Sequence, residues 1–340
     1  MTKCKITILR GDKMDEKLSL NMFDNDVVKW KHNGTLYALH VQSDDNSINP
    51  RTDMDNMTIM ACWHRRYSLG DTIQDQQPCD FWLRLVQENV SPSEVLAAAE
   101  AGELNGIRIA PNEEDAKVVD VYTSFESDEV REYEAERKDT VARCLMEELT
   151  TEHCMRLLEP YAVWLPLWLY DHSGITMSCG ARTGQFADQW DSGQVGWIVA
   201  LKKTIMEEIA TEYVGETSGE RGPSKQLHEN ESSASMYQAR PLTNETWKQR
   251  AIEIMECDVK IYDQMLTGDV YGFTLYSAPP VEDGEEPNWN EEDSCWGFFG
   301  SNIMENGIEE AVGCGLRAAV TTGEYVQTVA QKYTVTRYKF

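Results

Sequence analysis

Two short apolar runs in the middle of the chain, residues 163–170 and 195–201, are its most distinctive hydrophobic segments. Each is bounded by turn residues, a pattern typical of strands that are covered on both faces. The first run leads into the polar tip DHSG (171–174), and the polar tip WDSGQ (190–194) leads into the second. Polar tips on two buried strands predict a site where these strands meet their loops.

Elsewhere along the chain, some segments show the spacing of hydrophobic residues that is typical of strands, and others show the spacing that is typical of helices. Residues 27–31 and 36–41 flank the Asn-Gly pair at 33–34, which predicts a tight hairpin. The Ser-Pro pair at 91–92 predicts the start of a helix that ends at Gly102. Further strands are expected over 5–9, 57–67, 269–277 and 293–299, further helices over 81–89, 139–158, 204–213, 244–266 and 308–320, and an exposed tail or edge strand over 333–340.

Strands that arrive mostly in hairpin-like pairs, with helices between them, favour an α+β fold. We expect a mixed or mostly antiparallel sheet with helices packed on it, decorated by acidic insertions. The polar stretches 112–136 and 215–239 predict an exposed acidic insertion and a mobile loop. No domain boundary is visible, so the prediction is a single domain over 1–340, with 72–160 and 202–245 as insertions or variable segments.

The charge of the chain narrows the classes of function. There are 58 acidic and 31 basic residues, which give a formal net charge of −27. Such a field repels nucleic acid and anionic membranes, because phosphate binding is driven by Lys and Arg. It attracts basic partners, or imitates nucleic acid towards a protein that binds it. The alternative is that the acidity provides solubility or adaptation to salt.

The cysteines and the apolar segments predict the compartment. The nine cysteines are odd in number and show no CxxC spacing, which argues against a disulfide framework and against a thiolate zinc site. The N-terminal residues lack the apolar core of a signal peptide, and residues 163–170 are much shorter than the roughly 20 residues that span a bilayer. We therefore expect a cytoplasmic protein with no membrane partner, and no cofactor is predicted.

Five blocks, taken in order, carry a resemblance to a known family. They are NPRTDMDNMTIMACWHRRYSLGD (49–71), LYDHSGITMS (169–178), WDSGQVGWI (190–198), YDQMLTGDVYGF (262–273) and DSCWGFFG (293–300). Together they resemble a widespread family of conserved hypothetical proteins carried by bacteriophages, plasmids and other mobile elements. The resemblance implies a mobile-element accessory protein in the host cytoplasm, and such genes often act against host defences. It implies no particular reaction.

A catalytic interpretation depends on side chains at the two tips and at the end of the 57–67 strand. The candidates are His64, Asp171, His172, Asp191 and Ser192. Two imidazoles and two carboxylates suit a divalent metal, or a general base with an orienting carboxylate. A serine nucleophile, Ser192 or Ser173, would make a hydrolase, although no GxSxG elbow is present. The alternatives are that the acids cap turns while the histidine packs, or that the cluster binds a ligand without chemistry.

Ligand recognition is predicted for Arg65, Arg66 and Gln194. Adjacent arginines in an acidic chain suit the recognition of carboxylate or phosphate. Successive strand residues point to opposite faces, so at most one of the two arginines faces a given pocket. The alternative is an ion pair inside the protein, with Asp55, Asp71, Asp171 or Asp191 as the partner. The run GARTGQ (180–185) lacks the Walker ending and is interpreted as a loop.

An acidic cluster between the last two predicted strands is the expected surface for binding a partner. It comprises Glu282, Asp283, Glu285, Glu286, Glu291, Glu292 and Asp293. The leading hypothesis is that this surface binds a basic, nucleic-acid-binding defence protein of the host and competes with its nucleic acid. The alternatives are a hydrolase or nucleotide-processing enzyme at the strand tips, and a scaffold whose variable segments carry recognition. The sequence indicates neither an oligomeric state nor a metal.

Overall fold

The computed structural model describes most of the chain, with gaps. The described residues are 18–111, 118–123, 130–134, 138–209, 212–215, 237–240, 243–282 and 285–330. The predicted strand 5–9 and the tail 333–340 lie outside them, as does most of the 215–239 loop. In chain order the elements are β1 (Asp26–His32), β2 (Thr35–Ser43), β3 (Thr58–Cys62), α1 (Pro78–Asn89), α2 (Pro92–Glu100), β4 (Ile107–Pro111), β5 (Val118–Thr123), β6 (Val130–Glu134), α3 (Lys138–Glu147), α4 (Thr151–Leu158), β7 (Ala162–Asp171), β8 (Ile175–Cys179), a 3₁₀ turn (Gly184–Ala187), β9 (Ser192–Leu201), α5 (Lys202–Glu208), β10 (Glu212–Gly215), β11 (Tyr237–Arg240), α6 (Trp247–Thr267), β12 (Val270–Ala278), β13 (Asn290–Phe299), α7 (Ile308–Val312), α8 (Leu316–Thr322) and β14 (Tyr325–Val329).

The α+β class predicted from the sequence is confirmed, since helices and antiparallel sheets contribute similar shares of the chain. Backbone contacts divide the chain into two compact units. Unit 1 comprises Met1–Ile48, Tyr213–Arg240 and Gly268–Phe340, and unit 2 comprises Asn49–Glu212 and Pro241–Thr267. Each unit has its own sheet and core. The single domain expected from the sequence stays a prediction.

Unit 1 is built on a five-stranded antiparallel sheet with the order β13-β12-β2-β1-β14. The predicted β1–β2 hairpin is confirmed: Asn33 and Gly34 have φ of 48° and 81°, as a tight turn with two left-handed residues requires. One sheet face packs on α7 and α8. The core between them comprises Leu20, Met22, Val28, Trp30, Leu39, Val41, Tyr271, Phe273, Leu275, Ile303, Ile308, Val312, Leu316 and Ala319.

The single helix predicted over 308–320 is wrong. The segment forms two short helices, because Gly313, Cys314 and Gly315 all have positive φ and break the helical path. Gly315 is also required sterically, since a Cβ at this position would overlap the ring of His32. The break between the two helices therefore packs directly against His32 at the end of β1.

Unit 2 is built on the four-stranded antiparallel sheet β3-β9-β7-β8, which is covered on both faces. Ile198 and Val199 are adjacent in β9 and fully buried, yet they belong to opposite cores. Val199 faces the core formed with α1, α2, α3 and α4, while Ile198 faces α6. This double coverage explains why β7 and β9 are continuous apolar runs rather than alternating ones.

Helix α6 covers one of these faces along its whole length. Its buried residues recur at helical spacing: Trp247, Ala251, Ile254, Met255, Val259 and Tyr262. Polar contacts add to this packing, because the carboxylate of Asp263 accepts hydrogen bonds from the Thr176 hydroxyl at 2.6 Å and the Met177 N–H at 2.7 Å in β8. The helix ends at Thr267, one residue beyond the predicted end at 266, and the glycine that follows, Gly268, has a left-handed φ of 74°.

The single helix predicted over 139–158 is also wrong. It is divided into α3 and α4, and Thr150 starts α4 by accepting a hydrogen bond from the N–H of His153, whose ring accepts from the Thr150 N–H in return. The helices of segment 72–160 supply much of the core on this face of the sheet. The segment is therefore part of the packed unit. No helix in the described part of the chain is both long enough and apolar enough to cross a bilayer.

A buried arginine connects four parts of unit 2. The side chain of Arg51 is 1% exposed, and its Nε and Nη2 donate to the two carboxylate oxygens of Asp71 at 2.7 and 3.0 Å. Its Nη1 lies 3.3 Å from Asp258 of α6, and Nη2 also donates to the Thr58 carbonyl at 2.8 Å. Asp71 in turn accepts from the N–H of Met60 at 2.9 Å. The loop before β3, β3 itself, the segment at 71 and α6 thus meet at one guanidinium.

We expect Arg51→Ala to lower the free energy of unfolding by about 3–5 kcal/mol, because it leaves the carboxylates of Asp71 and Asp258 without their buried cation. The control is Arg66→Ala: the Arg66 side chain is 57% exposed in its own ion pair, so its loss should cost less than about 1 kcal/mol. Urea unfolding followed by tryptophan fluorescence measures both. Equal losses for the two variants would contradict the stabilising role of the network.

A pair of glycines in β9 provides a second test of packing. A Cβ on Gly196 would overlap the carbonyl oxygen of Ala61 in β3, whereas a Cβ on Gly193 meets nothing within 4 Å. Gly196→Ala should therefore destabilise the protein by about 1–3 kcal/mol, and Gly193→Ala should be neutral or slightly stabilising. Thermal unfolding of the two variants makes the comparison, and a Gly196→Ala variant as stable as Gly193→Ala would show that β3 and β9 can separate without cost.

Candidate functional site

The two polar tips predicted from the sequence meet at one end of the unit 2 sheet. Strands β7 and β9 are paired up to Tyr170 and Ser192. Beyond this pair the Asp171 N–H donates to the Asp191 carbonyl at 2.8 Å. The loop after β3 reaches the same end, because its Arg66 contacts Asp171. The expectation that both tips lie together is therefore met by direct contacts.

Asp171 is held by an arginine and a tyrosine. Arg66 Nη2 lies 2.5 Å from one carboxylate oxygen, and the Tyr67 hydroxyl donates to the other at 3.2 Å. The Arg66 guanidinium also lies over the Tyr67 ring, 5.6 Å from its centroid. Arg66 thus forms the internal ion pair that was the alternative to ligand recognition, while Arg65 is exposed. Both oxygens of Asp171 are engaged, which leaves this carboxylate poorly placed to act as a base.

His172 pairs with Asp191 on the surface. Its Nδ1 lies 3.0 Å from Asp191 Oδ2, and both side chains are substantially exposed. An Nδ1–H that donates to the carboxylate leaves Nε2 as the basic nitrogen, which is the arrangement of a general base with an orienting acid. The pair lies next to Asp171, but the Asp171 carboxylate contacts Arg66 and Tyr67 instead.

His64 is turned towards its own loop. Its Nδ1 accepts from the N–H groups of Arg66 at 3.4 Å and Tyr67 at 3.2 Å, and its ring stacks on Tyr67 with centroids 5.0 Å apart. Burial, followed by the nearby Arg66, lowers the pKa of His64 below its usual value. Through these two hydrogen bonds, Nδ1 of His64 orders the turn after β3.

The two serines and Gln194 occupy structural positions. The Ser192 hydroxyl donates to the carbonyl of Phe186 at 2.6 Å and also contacts the Asp188 carbonyl. It is thereby directed at the main chain instead of an imidazole. Ser173 has φ of 61° in the turn between β7 and β8. The Gln194 side-chain amide donates to the Gly196 carbonyl, 3.3 Å away on its own strand.

The loop from 182 to 192 is held by several hydrogen bonds to its own main chain. Arg182 donates to the carbonyls of Phe186 and Asp188 at 2.7 and 2.8 Å, and its guanidinium lies over the Trp168 ring, 5.1 Å from the centroid. The carboxylate of Asp188 accepts from the N–H of Trp190 at 2.6 Å and from that of Asp191 at 3.2 Å. These contacts hold a loop whose Trp190 side chain is 94% exposed.

Sequence reasoning overlooked Arg51, Arg182 and Asp188. Arg182 and Asp188 fell in a stretch interpreted only as loop, and their contacts are with main-chain groups, which leave no motif. The Asp-x-Trp-Asp order was the available signal, because an aspartate often accepts from N–H groups two and three residues later in a turn. Within the described residues, no group of three or more His, Cys, Asp and Glu side chains is placed to hold a metal.

The acidic cluster lies at the β12–β13 hairpin of unit 1. Strand β13 is an edge strand of its sheet. Six of the predicted partner-binding residues are exposed: Glu282, Glu285, Glu286, Glu291, Glu292 and Asp293. The seventh, Asp283, lies outside the described residues. Glu292 accepts a hydrogen bond from the Ser277 hydroxyl.

Comparison of the chain with protein-family models, with curated proteins and with solved structures finds no match. The resemblance to a family from mobile elements therefore stays a prediction from the sequence blocks.

The Asp188 turn gives a pH-dependent prediction. The N–H groups of Trp190 and Asp191 lower the pKa of Asp188 below its ordinary value of 3.8. A lowered carboxyl pKa means that the turn is fully held above the ordinary value and is released as the pH falls through the lowered one. The amide signal of Trp190, in protein labelled with ¹⁵N-tryptophan, should therefore titrate with a midpoint below 3.8. In Asp188→Asn this transition should disappear, and a midpoint at or above the ordinary value would contradict the capping role.

Proposed function

We propose that this protein acts by binding a basic, nucleic-acid-binding protein of a host cell through the acidic β12–β13 hairpin, and thereby competes with nucleic acid. The observation that supports the proposal best is the local charge. Residues 282–293 include seven acidic side chains and no Lys or Arg. Within the described part of the chain, none of the six described carboxylates of this hairpin forms an ion pair.

The distribution of arginines supports the same proposal. Six arginines elsewhere in the described chain are paired with carboxylates of the protein itself. They are Arg51 with Asp71 and Asp258, Arg66 with Asp171, Arg84 with Asp75 and Glu88, Arg156 with Glu103 and Glu159, Arg250 with Glu253, and Arg317 with Glu309. The Lys29 ammonium lies over the Trp289 ring of this hairpin, 5.6 Å from its centroid, but the seven acidic residues leave the hairpin with an excess of negative charge. Such regions speed association with a basic groove.

Competition with nucleic acid is the form of binding that this charge suits. A protein groove that binds DNA presents Lys and Arg to closely spaced phosphates, and a row of exposed carboxylates can occupy the same groove. Together with the family resemblance, this favours an inhibitor of a restriction or CRISPR-type effector that acts in the host cytoplasm. The free thiols of the described cysteines support a reducing compartment.

The second candidate is an enzyme at the strand tips, and the His172–Asp191 pair favours it. This pair supplies an oriented base. The Ser192 hydroxyl is directed at main-chain carbonyls and the Asp171 carboxylate is bonded to Arg66 and Tyr67, so a serine hydrolase is the less favoured form. An activity in which a water is the nucleophile would be abolished by His172→Ala, whereas competition with nucleic acid would not change.

Reversal of the hairpin charge tests the proposal. We expect Glu282→Lys, Glu285→Lys and Glu286→Lys together to weaken displacement of labelled duplex DNA from purified restriction and CRISPR effectors by about tenfold or more. The effect of the wild-type protein should fall steeply between about 50 mM and about 300 mM NaCl. Fluorescence anisotropy of the DNA measures the displacement.

The control changes the same amount of charge in the other unit. Glu147, Glu207 and Glu208 are exposed on helices α3 and α5, and their replacement by Lys should have a much smaller effect. If both triple variants lose displacement equally, net charge alone acts and the hairpin is not the recognition surface. If the wild-type protein displaces DNA from no effector at low salt, the proposed function is wrong.

A further inference from the structure

The tip of the 182–192 loop carries a tryptophan, Trp190, that is almost fully exposed to solvent. The Trp190 side chain is 94% exposed, yet the loop beneath it is fixed by Arg182, Asp188 and Ser192. Large aromatic side chains on preformed loops are typical anchors of protein interfaces, because little conformational freedom is lost when they bind. A rigid loop with an exposed indole thus indicates a contact with a partner.

The groups beside Trp190 indicate which chemistry this contact accepts. The carboxylate of Asp188 is fully exposed and that of Asp191 is partly exposed. Both flank the indole in sequence, and the Asp188 carboxylate is bonded to the N–H of Trp190 itself at 2.6 Å. An exposed π face attracts a cation, and acidic residues close to it in sequence add to this attraction. A planar guanidinium can in addition stack on the ring.

The protein uses the same combination internally. Arg84 lies over the ring of Phe81, 5.4 Å from its centroid, while it is bonded to Asp75. Arg66 lies over Tyr67 in the same manner while it is bonded to Asp171. Among the described residues no cation lies over the Trp190 ring, although acidic residues are its neighbours in the loop.

We propose that Trp190, with Asp188 and Asp191, is a docking site for an arginine side chain of a protein partner. The inference rests on the proposed function, because a partner with a basic groove supplies such arginines, and it deepens that function by naming a contact in unit 2. The site should prefer arginine to lysine, since the ammonium group is more strongly hydrated and cannot stack as a plane.

The test uses the full-length protein labelled with 5-fluorotryptophan, in which Trp190→Phe identifies the ¹⁹F resonance of residue 190. The probes are hexa-arginine and hexa-lysine, two peptides of equal charge and length. We expect the Trp190 resonance to shift with hexa-arginine, and the affinity for hexa-arginine to exceed that for hexa-lysine by about three- to fivefold. Trp190→Leu should remove this preference and leave hexa-lysine binding unchanged.

Several outcomes would overturn the inference. They are an unmoved Trp190 resonance, equal effects of Trp190→Leu on both peptides, a larger shift with single-stranded oligothymidylate than with hexa-arginine, and a Trp190-dependent dimer in sedimentation. The hairpin variant Glu282→Lys, Glu285→Lys, Glu286→Lys separates the two proposals. If it loses DNA displacement while Trp190 shows no arginine preference, the proposed function stands and the docking site falls. If Trp190 selects arginine but the wild-type protein displaces DNA from no effector, the docking site stands and the proposed function falls.

Discussion

The buried guanidinium of Arg51 is the interaction on which unit 2 depends. A charge that is almost completely removed from water is tolerable only where acids and carbonyls satisfy it. Here the donors of Arg51 meet Asp71, Asp258 and the carbonyl of Thr58. These acceptors lie in three different segments of the chain. The ion network therefore holds the start of β3, the segment at Asp71 and α6 together. The apolar cores pack on both faces of the same sheet.

The sequence predicted the parts of the fold that local chemistry determines. The Asn-Gly turn, the apolar runs of β7 and β9, and the helix over 244–266 could each be predicted from one segment of the sequence. The divided helices could not, because the break at Thr150 uses histidine in place of the usual Glu or Gln of a capping box. The break at 313–315 depends on backbone angles and on the nearness of His32.

The candidate site was likewise predictable only in part. Features set by neighbouring residues could be predicted, and contacts between distant segments could not. That the two tips meet follows from two adjacent buried strands, and it was predicted. Which acid meets which base depends on the path of the loop after β3, and sequence spacing says nothing of this path. Arg65 and Arg66 attracted attention because they are adjacent, whereas Arg51, in a polar loop, makes the buried contacts. Burial of a charge is a property of the whole fold, and a single segment cannot reveal it.

The acidic edge of the unit 1 sheet has a consequence for the behaviour of the protein at high concentration. Strand β13 has no further strand beyond it in the described chain, and its Trp296 is 49% exposed. An uncharged edge of this kind would be a template for pairing with the same edge of another copy, which is how sheets grow into aggregates. Glu291, Glu292 and Asp293 place like charges along that edge, so two copies repel each other where their backbones would otherwise join. The carboxylates thereby prevent edge-to-edge pairing of β13 between two copies of the protein.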